Sequence, residues 1–265
     1  MTRETVADGI YYPADPEQLY QAITRTHREC TDLTRNASVV VAPNGGYQIT
    51  LRYIFTALRA AKPRPELVCI LAPPNSSTST GNALPESDEF ATPFGPIPVA
   101  TGLVEQIVHG EGSFRYDEIA HLGDHSIEIV LPVMHYLFGP VPIIPILCGT
   151  LTEEELSASA RTLRTVLRGK NVLTIVSGNM SGFTNPEHAD LCARQTIRLL
   201  MNGPREAVFP GIPMLAHTPR SLWPLILAHL IAPENTRPEL LHRGTFETEF
   251  EGDTGSVVFA SLAYQ

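Results

Sequence analysis

The residues with the greatest capacity for chemistry lie in Gly123-Asp124-His125-Ser126-Ile127-Glu128-Ile129-Val130-Leu131-Pro132, where titratable groups at helical spacing meet a strongly apolar run. If Asp124 is an N-cap, its carboxylate takes the free backbone N–H groups of the first turn, and His125 and Glu128, three residues apart, share one helical face. An imidazole and a carboxylate aimed at the same space suit general acid/base catalysis near neutral pH. His125 would be the proton carrier, with Asp124 or Glu128 orienting it. The same residues also fit a plain helix start, a capping Asp followed by a His and a Glu on a solvated first turn. His121 lies one further helical spacing upstream, although Gly123 interrupts a continuous helix between them.

Three strands are expected to carry partners to that stretch. Val39-Val40-Val41-Ala42, the run 67–72 and the run 171–176 are continuous apolar segments rather than alternating ones, as strands buried on both faces of a sheet are. Polar loops leave their ends: Pro43-Asn44-Gly45-Gly46-Tyr47, then Pro73-Pro74-Asn75-Ser76-Ser77, then Ser177-Gly178-Asn179-Met180-Ser181. Open α/β sheets build their sites at the carboxyl ends of central strands. Asn44, Asn75 and Asn179 are therefore expected to line one cavity with His125, with Tyr47 and His121 as further binding residues. Asn is also a common turn residue at strand ends, so turn chemistry alone remains the alternative for all three.

The remaining pattern supplies the frame. Helices are expected at 17–28, 47–61, 103–109, 152–168, 186–201 and 221–231, and closing strands at 245–250 and 255–264. The segment 141–147, with Pro142 and Pro145, reads as an edge strand or a strand end. The sum is an α/β chain: a single domain over 1–265 with a mostly parallel central sheet and helices on both faces. A hydrophobic content of 43% is enough for a sizeable core. A net charge of −9 with no dense Lys/Arg run argues against a nucleic-acid partner. Cys30, Cys69, Cys148 and Cys192 form no C-x-x-C pair, which suits a reducing compartment. The polar start and the lack of any membrane-length apolar run point to a cytoplasmic protein with no membrane partner. Assembly into a homo-oligomer stays open.

With its loops placed, the chain resembles the Memo family, which in bacteria and archaea includes protein B of the AmmeMemoRadiSam system. The family's P-H-A-G-Y is similar to Pro43-Asn44-Gly45-Gly46-Tyr47, its G-P-S-H-H to Ala72-Pro73-Pro74-Asn75-Ser76, and its T-P-L-G to Thr92-Pro93-Phe94-Gly95. Its E-H-S-hydrophobic-E resembles Asp124-His125-Ser126-Ile127-Glu128, and its I-P-hydrophobic-hydrophobic-x-G resembles Ile144-Pro145-Ile146-Leu147-Cys148-Gly149. Its opening is similar to Asp8-Gly9-Ile10-Tyr11-Tyr12-Pro13, and its late G-D…V-V to Gly252-Asp253…Val257-Val258. The resemblance implies the fold of class III extradiol dioxygenases. It also implies a divalent metal held by the His of the first motif, the His of the second and a late Cys. This chain has Asn44 and Asn75 at the two His positions and no cysteine between Leu215 and Trp223. In the family's S-S-D-x-x-H, Asn179 replaces the Asp and Gly182 the His. No metal and no other cofactor is therefore expected.

Three functions follow as expectations. The first is a metal-independent enzyme acting on a small polar or aromatic molecule, with His125 as acid/base and the Asn side chains polarising a carbonyl or phenolate. The second is a non-catalytic binding or interaction protein that keeps the fold. The third is a metal-dependent, dioxygenase-like protein with a site rebuilt from His121, His125, Glu128, His188 or His217.

Overall fold

The computed structural model describes residues 1–30, 35–75, 80–203, 219, 221–250 and 253–265. Its strands are β1 (Thr2–Arg3), β2 (Val39–Ala42), β3 (Leu67–Ala72), β4 (Asn82–Leu84), β5 (Glu89–Phe90), β6 (Ile97–Pro98), β7 (Phe114–Tyr116), β8 (Ile143–Cys148), β9 (Val172–Ser177), β10 (Pro238–Phe250) and β11 (Asp253–Tyr264). Its helices are α1 (Pro16–Glu29), α2 (Tyr47–Arg59), α3 (Thr101–Val108), α4 (Glu118–Leu122), α5 (Leu131–Phe138), α6 (Glu153–Leu167), α7 (Pro186–Asn202) and α8 (Leu222–Ile231).

One eight-stranded sheet, in the order β10-β11-β2-β9-β3-β8-β4-β7, takes strands from nearly the whole chain. Its centre, β2-β9-β3-β8, is parallel throughout, and the long antiparallel β10–β11 hairpin closes one side. Every residue of β2, β3 and β8 is buried, so both faces of the sheet are covered, as the continuous apolar runs require. Helices α1, α2 and α5 pack on one another, α6 packs on both α3 and α8, and these groups flank the sheet. Local chemistry sets the helix starts: Asp15 accepts from Gln18 N at 2.8 Å, and Thr152 with Glu155 forms a complete capping box. A three-stranded sheet, β1-β5-β6, ties the amino terminus to the body.

Strand β8 differs from expectation, for it lies inside the sheet, between β3 and β4, and not at an edge. Its prolines are tolerated because of phase. Pro142 precedes the strand and offers its carbonyl to Val68 N at 3.0 Å. In the parallel register Val68↔Ile143 and Ile70↔Pro145, the ladder groups of Ile144 and Ile146 face β3, whereas the missing N–H of Pro145 would face the β4 side. There β4 pairs only with Leu147 and Cys148, so Pro145 removes no ladder bond.

Candidate functional site

Because β9 lies between β2 and β3 and all three run parallel, the loops after Ala42, Ala72 and Ser177 emerge side by side. They meet the segment that follows α4. The result is a cavity of about 190 Å³ lined by Tyr11, Asn44, Pro73, Asn75, His125, Gly178 and Asn179. All four residues expected to share a cavity, the three Asn and His125, do share this one. It is smaller than the roughly 300–1,000 Å³ of drug-sized ligand sites.

The amide of Asn179 clamps the backbone of the neighbouring loop. Its Oδ1 accepts from Asn44 N at 2.9 Å and its Nδ2 donates to Asn44 O at 2.8 Å, imitating a strand pair where β2 and β9 have ended. Glycine is required just before it: a Cβ on Gly178 would stand 2.4 Å from Ser221 Cβ, at the start of α8. Asn44 has its backbone held in this way, yet its side-chain Oδ1 is buried with no hydrogen-bond partner among the described residues.

His125 is positioned by a different set. Asp124 does not open an α-helix: its Oδ1 accepts from Ser126 N at 2.7 Å in a tight local turn, and its Oδ2 accepts from Asn75 N at 2.6 Å. The carboxylate thus joins the His125 turn to the loop after β3. Asn75 then donates from Nδ2 to His125 Nδ1 at 2.8 Å, while its Oδ1 lies 3.4 Å from Ser126 Oγ. The imidazole stacks on Tyr11, with ring centroids 4.3 Å apart and planes 24° from parallel. Among the described residues, Asn75 orients the His125 ring, with Asp124 holding Asn75 in turn.

Three expected site residues lie elsewhere. Glu128 begins a short 3-10 turn (Glu128–Val130) that leads into α5, and its fully buried carboxylate points away from the cavity. It pairs with the Arg3 guanidinium and accepts from Val6 N at 3.0 Å, Ala7 N at 2.9 Å and Tyr12 Oη at 2.6 Å. The expectation that His125 and Glu128 share a helical face fails because the chain from Asp124 to Ser126 is not helical. What Glu128 fixes is the amino-terminal segment, and through it the Tyr11 ring against His125. His121, on α4, is buried with Nε2 3.1 Å from Ala83 O, and burial holds its pKa below the usual histidine value. Tyr47 opens α2 buried, its hydroxyl donating to Ile129 O at 2.9 Å. All three are scaffold around the cavity.

The sequence reading missed Arg3, Tyr11 and Tyr12. A lone basic residue ahead of an extended segment gives no local signal, because the partner of Arg3 lies 125 residues away in the chain. For metal chemistry, the described lining offers one imidazole, already engaged at Nδ1, and neutral amides. The described residues contain no cluster of three His, Cys, Asp or Glu that could hold an ion. His217 lies outside the described residues, as does most of the span from Leu215 to Trp223.

Comparison with known proteins agrees with this architecture. Residues 3–213 match the family described as Memo-like protein. A MEMO1 family protein of Archaeoglobus fulgidus is 31% identical over 194 residues, covering 68% of this chain and 67% of that protein. One from Methanopyrus kandleri is 27% identical over 213 residues, covering 74% and 75%. Among solved structures, an uncharacterised protein of Escherichia coli K12 superposes with a TM-score of 0.58 at 15% identity, over 84% of this chain and 98% of that one, a likeness of fold. With its family match spanning most of the sequence and the ordered motifs surrounding one strand-end cavity, the chain belongs to the Memo-like protein family.

Proposed function

We propose that this Memo-like protein binds a small polar molecule in the strand-end cavity and acts on it without a metal, with His125 as the proton carrier. The observation that carries the reading is Asn44 Oδ1, a buried acceptor with no partner among the described residues, on a residue that lines the cavity. A buried carbonyl oxygen left unsatisfied costs about 1–3 kcal/mol, so an occupant bearing an N–H or O–H gains by donating to it. The donor set does not fit the divalent metal that the family resemblance implies. Among the described lining residues, one imidazole, the Tyr11 hydroxyl and neutral amides do not supply the set of imidazole, thiolate or carboxylate ligands that a first-row ion requires.

The His125–Asn75 pair can work in either direction. With Asn75 Nδ2 donating to Nδ1, the proton of a neutral imidazole sits on Nε2, where it serves as a hydrogen-bond donor to a bound oxygen. A half-turn of the Asn75 amide presents Oδ1 to an Nδ1–H and makes Nε2 the base. The Ser126 hydroxyl accommodates both states because it can give or take a proton. Such a positioned acid/base contributes roughly 100-fold or more to a rate.

A specific observation favours the second reading, a non-catalytic binding protein: the Asn179 amide spends its Oδ1 and one of its two Nδ2 protons on the Asn44 backbone, so its first role is to join the two loops. A thermal-shift screen of small polar metabolites in chelator-treated buffer, followed by turnover assays on each stabilising compound, separates the two. Stabilisation with product formation supports the enzyme; stabilisation without it supports the binding protein; activity that appears only on adding a stoichiometric metal contradicts both.

A further inference from the structure

A second cavity, of about 240 Å³, opens at the amino ends of β2 and β9, the side of the sheet opposite the strand-end site. Lys62, Arg164, Arg168 and Lys170 stand around it, over an apolar floor that includes Val172 and Ile231. No Asp or Glu is among its described lining residues, and none of the four cations is in an ion pair with a described residue. Glu66 is near enough to oppose the desolvation that lowers the Lys62 pKa, but it does not pair with the ammonium. A chain of net charge −9 therefore keeps a concave site of uncompensated positive charge.

Local turn chemistry gathers three of the cations. Helix α6 carries Arg164 in its last turn and ends at Leu167, and Lys170 N then donates to Leu167 O at 3.2 Å. Arg168 at φ −58° and ψ 131°, followed by Gly169 at φ +75°, makes this a type II turn, which sets Arg168 and Lys170 on either side of one glycine just before β9. Cations at helix carboxyl ends ordinarily answer the free carbonyls there, and Arg164 does so by donating to Leu230 O near the end of α8. The Arg168 and Lys170 side chains have no such acceptor among the described residues. A second feature is independent of charge. Thr174 is only 5% exposed and lines the cavity from the same face of β9 as Val172. Its hydroxyl is bonded to no described residue and is open to the cavity.

We propose that this cavity binds a diphosphate group, with Arg168, Lys170 and Lys62 donating to its oxygens and the Thr174 hydroxyl donating from the floor. A single phosphate carries roughly −1.5 to −2 charge at neutral pH, so two linked phosphates answer four cations better than one does. The Arg168 guanidinium can hold two oxygens at once, and the lysine ammoniums act as point charges. The volume lies below the roughly 300–1,000 Å³ of drug-sized sites, which suits a compact anion and leaves any attached nucleoside at the mouth. The site shares no residue with the His125 cavity.

The test titrates the full chain by calorimetry at fixed ionic strength without magnesium. Pyrophosphate and ADP are the diphosphate probes, with sulfate and adenosine as controls. Pyrophosphate should bind once per chain and about ten times or more tighter than sulfate, and ADP should exceed adenosine by a similar factor. The ligand is a free diphosphate if pyrophosphate binds tighter than ADP and a nucleotide if the order reverses; both orders bear out the diphosphate chemistry. The double variant Arg168→Gln/Lys170→Gln should weaken pyrophosphate about tenfold or more, whereas Arg198→Gln, exposed on α7, should change it less than about twofold. Thr174→Val should weaken it about threefold or more and Thr174→Ser should not, with circular dichroism showing the fold retained in each. No saturable binding by about 10 mM, or sulfate binding as tightly as pyrophosphate, would overturn the proposal. So would an Arg198→Gln effect equal to that of the double variant, or indifference to Thr174→Val, since either would leave only attraction by general positive charge.

Discussion

Replacing Asn179 by Asp probes the joint between the two loops that form the cavity, and it introduces the residue type that the resembling family motif carries at this position. The wild-type amide satisfies both groups of the Asn44 peptide, at 2.9 Å and 2.8 Å. Asn179→Asp keeps the acceptor but sets a second oxygen against the Asn44 carbonyl, so one hydrogen bond is lost and a lone-pair repulsion replaces it. Removing the donor from the Asn44 carbonyl leaves a deficit of about 1–3 kcal/mol near pH 8. At a few degrees per kcal/mol for a chain of this size, the melting temperature should fall by about 3–9 °C. The pH dependence has a definite sign. The protonated form of the introduced carboxyl can donate to Asn44 O again, so its folded pKa rises above an unfolded value near 3.9. Its favourable contribution is full below that unfolded value and disappears as pH rises through the folded one. Urea unfolding of both proteins at pH 4.5, 6 and 8 should therefore show the gap between them narrowing towards acid. A gap that is absent, or constant across that range, would refute the role assigned to the Asn179 clamp.

Other consequences are equally direct. Glu128→Gln should cost about 3–5 kcal/mol by breaking a buried ion pair, seen as a lower urea midpoint together with faster proteolysis within the first dozen residues. A stable variant with an intact amino-terminal segment would contradict the anchoring role. His121 has its folded pKa lowered by burial, so its contribution is full above the unfolded value near 6.5 and is lost as pH falls. His121→Gln should flatten part of the fall in stability between pH 7 and pH 5, and an unchanged slope would refute this. Burial pushes Cys69 up to about 12 and raises Cys148 and Cys192, so in the native protein an aromatic disulfide reagent should titrate half-buried Cys30 first and the other three only on unfolding.

Much of the frame was legible because burial on two faces writes itself into sequence as unbroken apolar runs. The strands β2, β3 and β9, with the Asn residues after them, sit where that pattern put them. What was hidden depends on partners distant in the chain or on local turns that break a period. The three-residue spacing of His125 and Glu128 suggested one face, but the Asp124 side chain bonds to Ser126 N and turns the chain off a helical path before Glu128. The buried partner of Glu128 is Arg3, which nothing near Glu128 announces. Pro145 suggested an edge because sequence does not reveal that β4 stops short of it. Charge was also redistributed by folding. No dense basic run exists in the sequence, yet Lys62, Arg164, Arg168 and Lys170 gather around a cavity of about 240 Å³ near the amino ends of β2 and β9.

The central claim is that His125 is a working group of the strand-end cavity rather than a packing residue. His125→Gln tests it when melting temperature and turnover of a screened substrate are measured on the same preparation. The glutamine amide can still meet Asn75, so the account predicts a melting temperature within about 2 °C of wild type and a turnover reduced about 100-fold. A variant that binds and turns over the compound normally while melting several degrees lower would contradict it, and would make His125 a scaffold residue stacked on Tyr11.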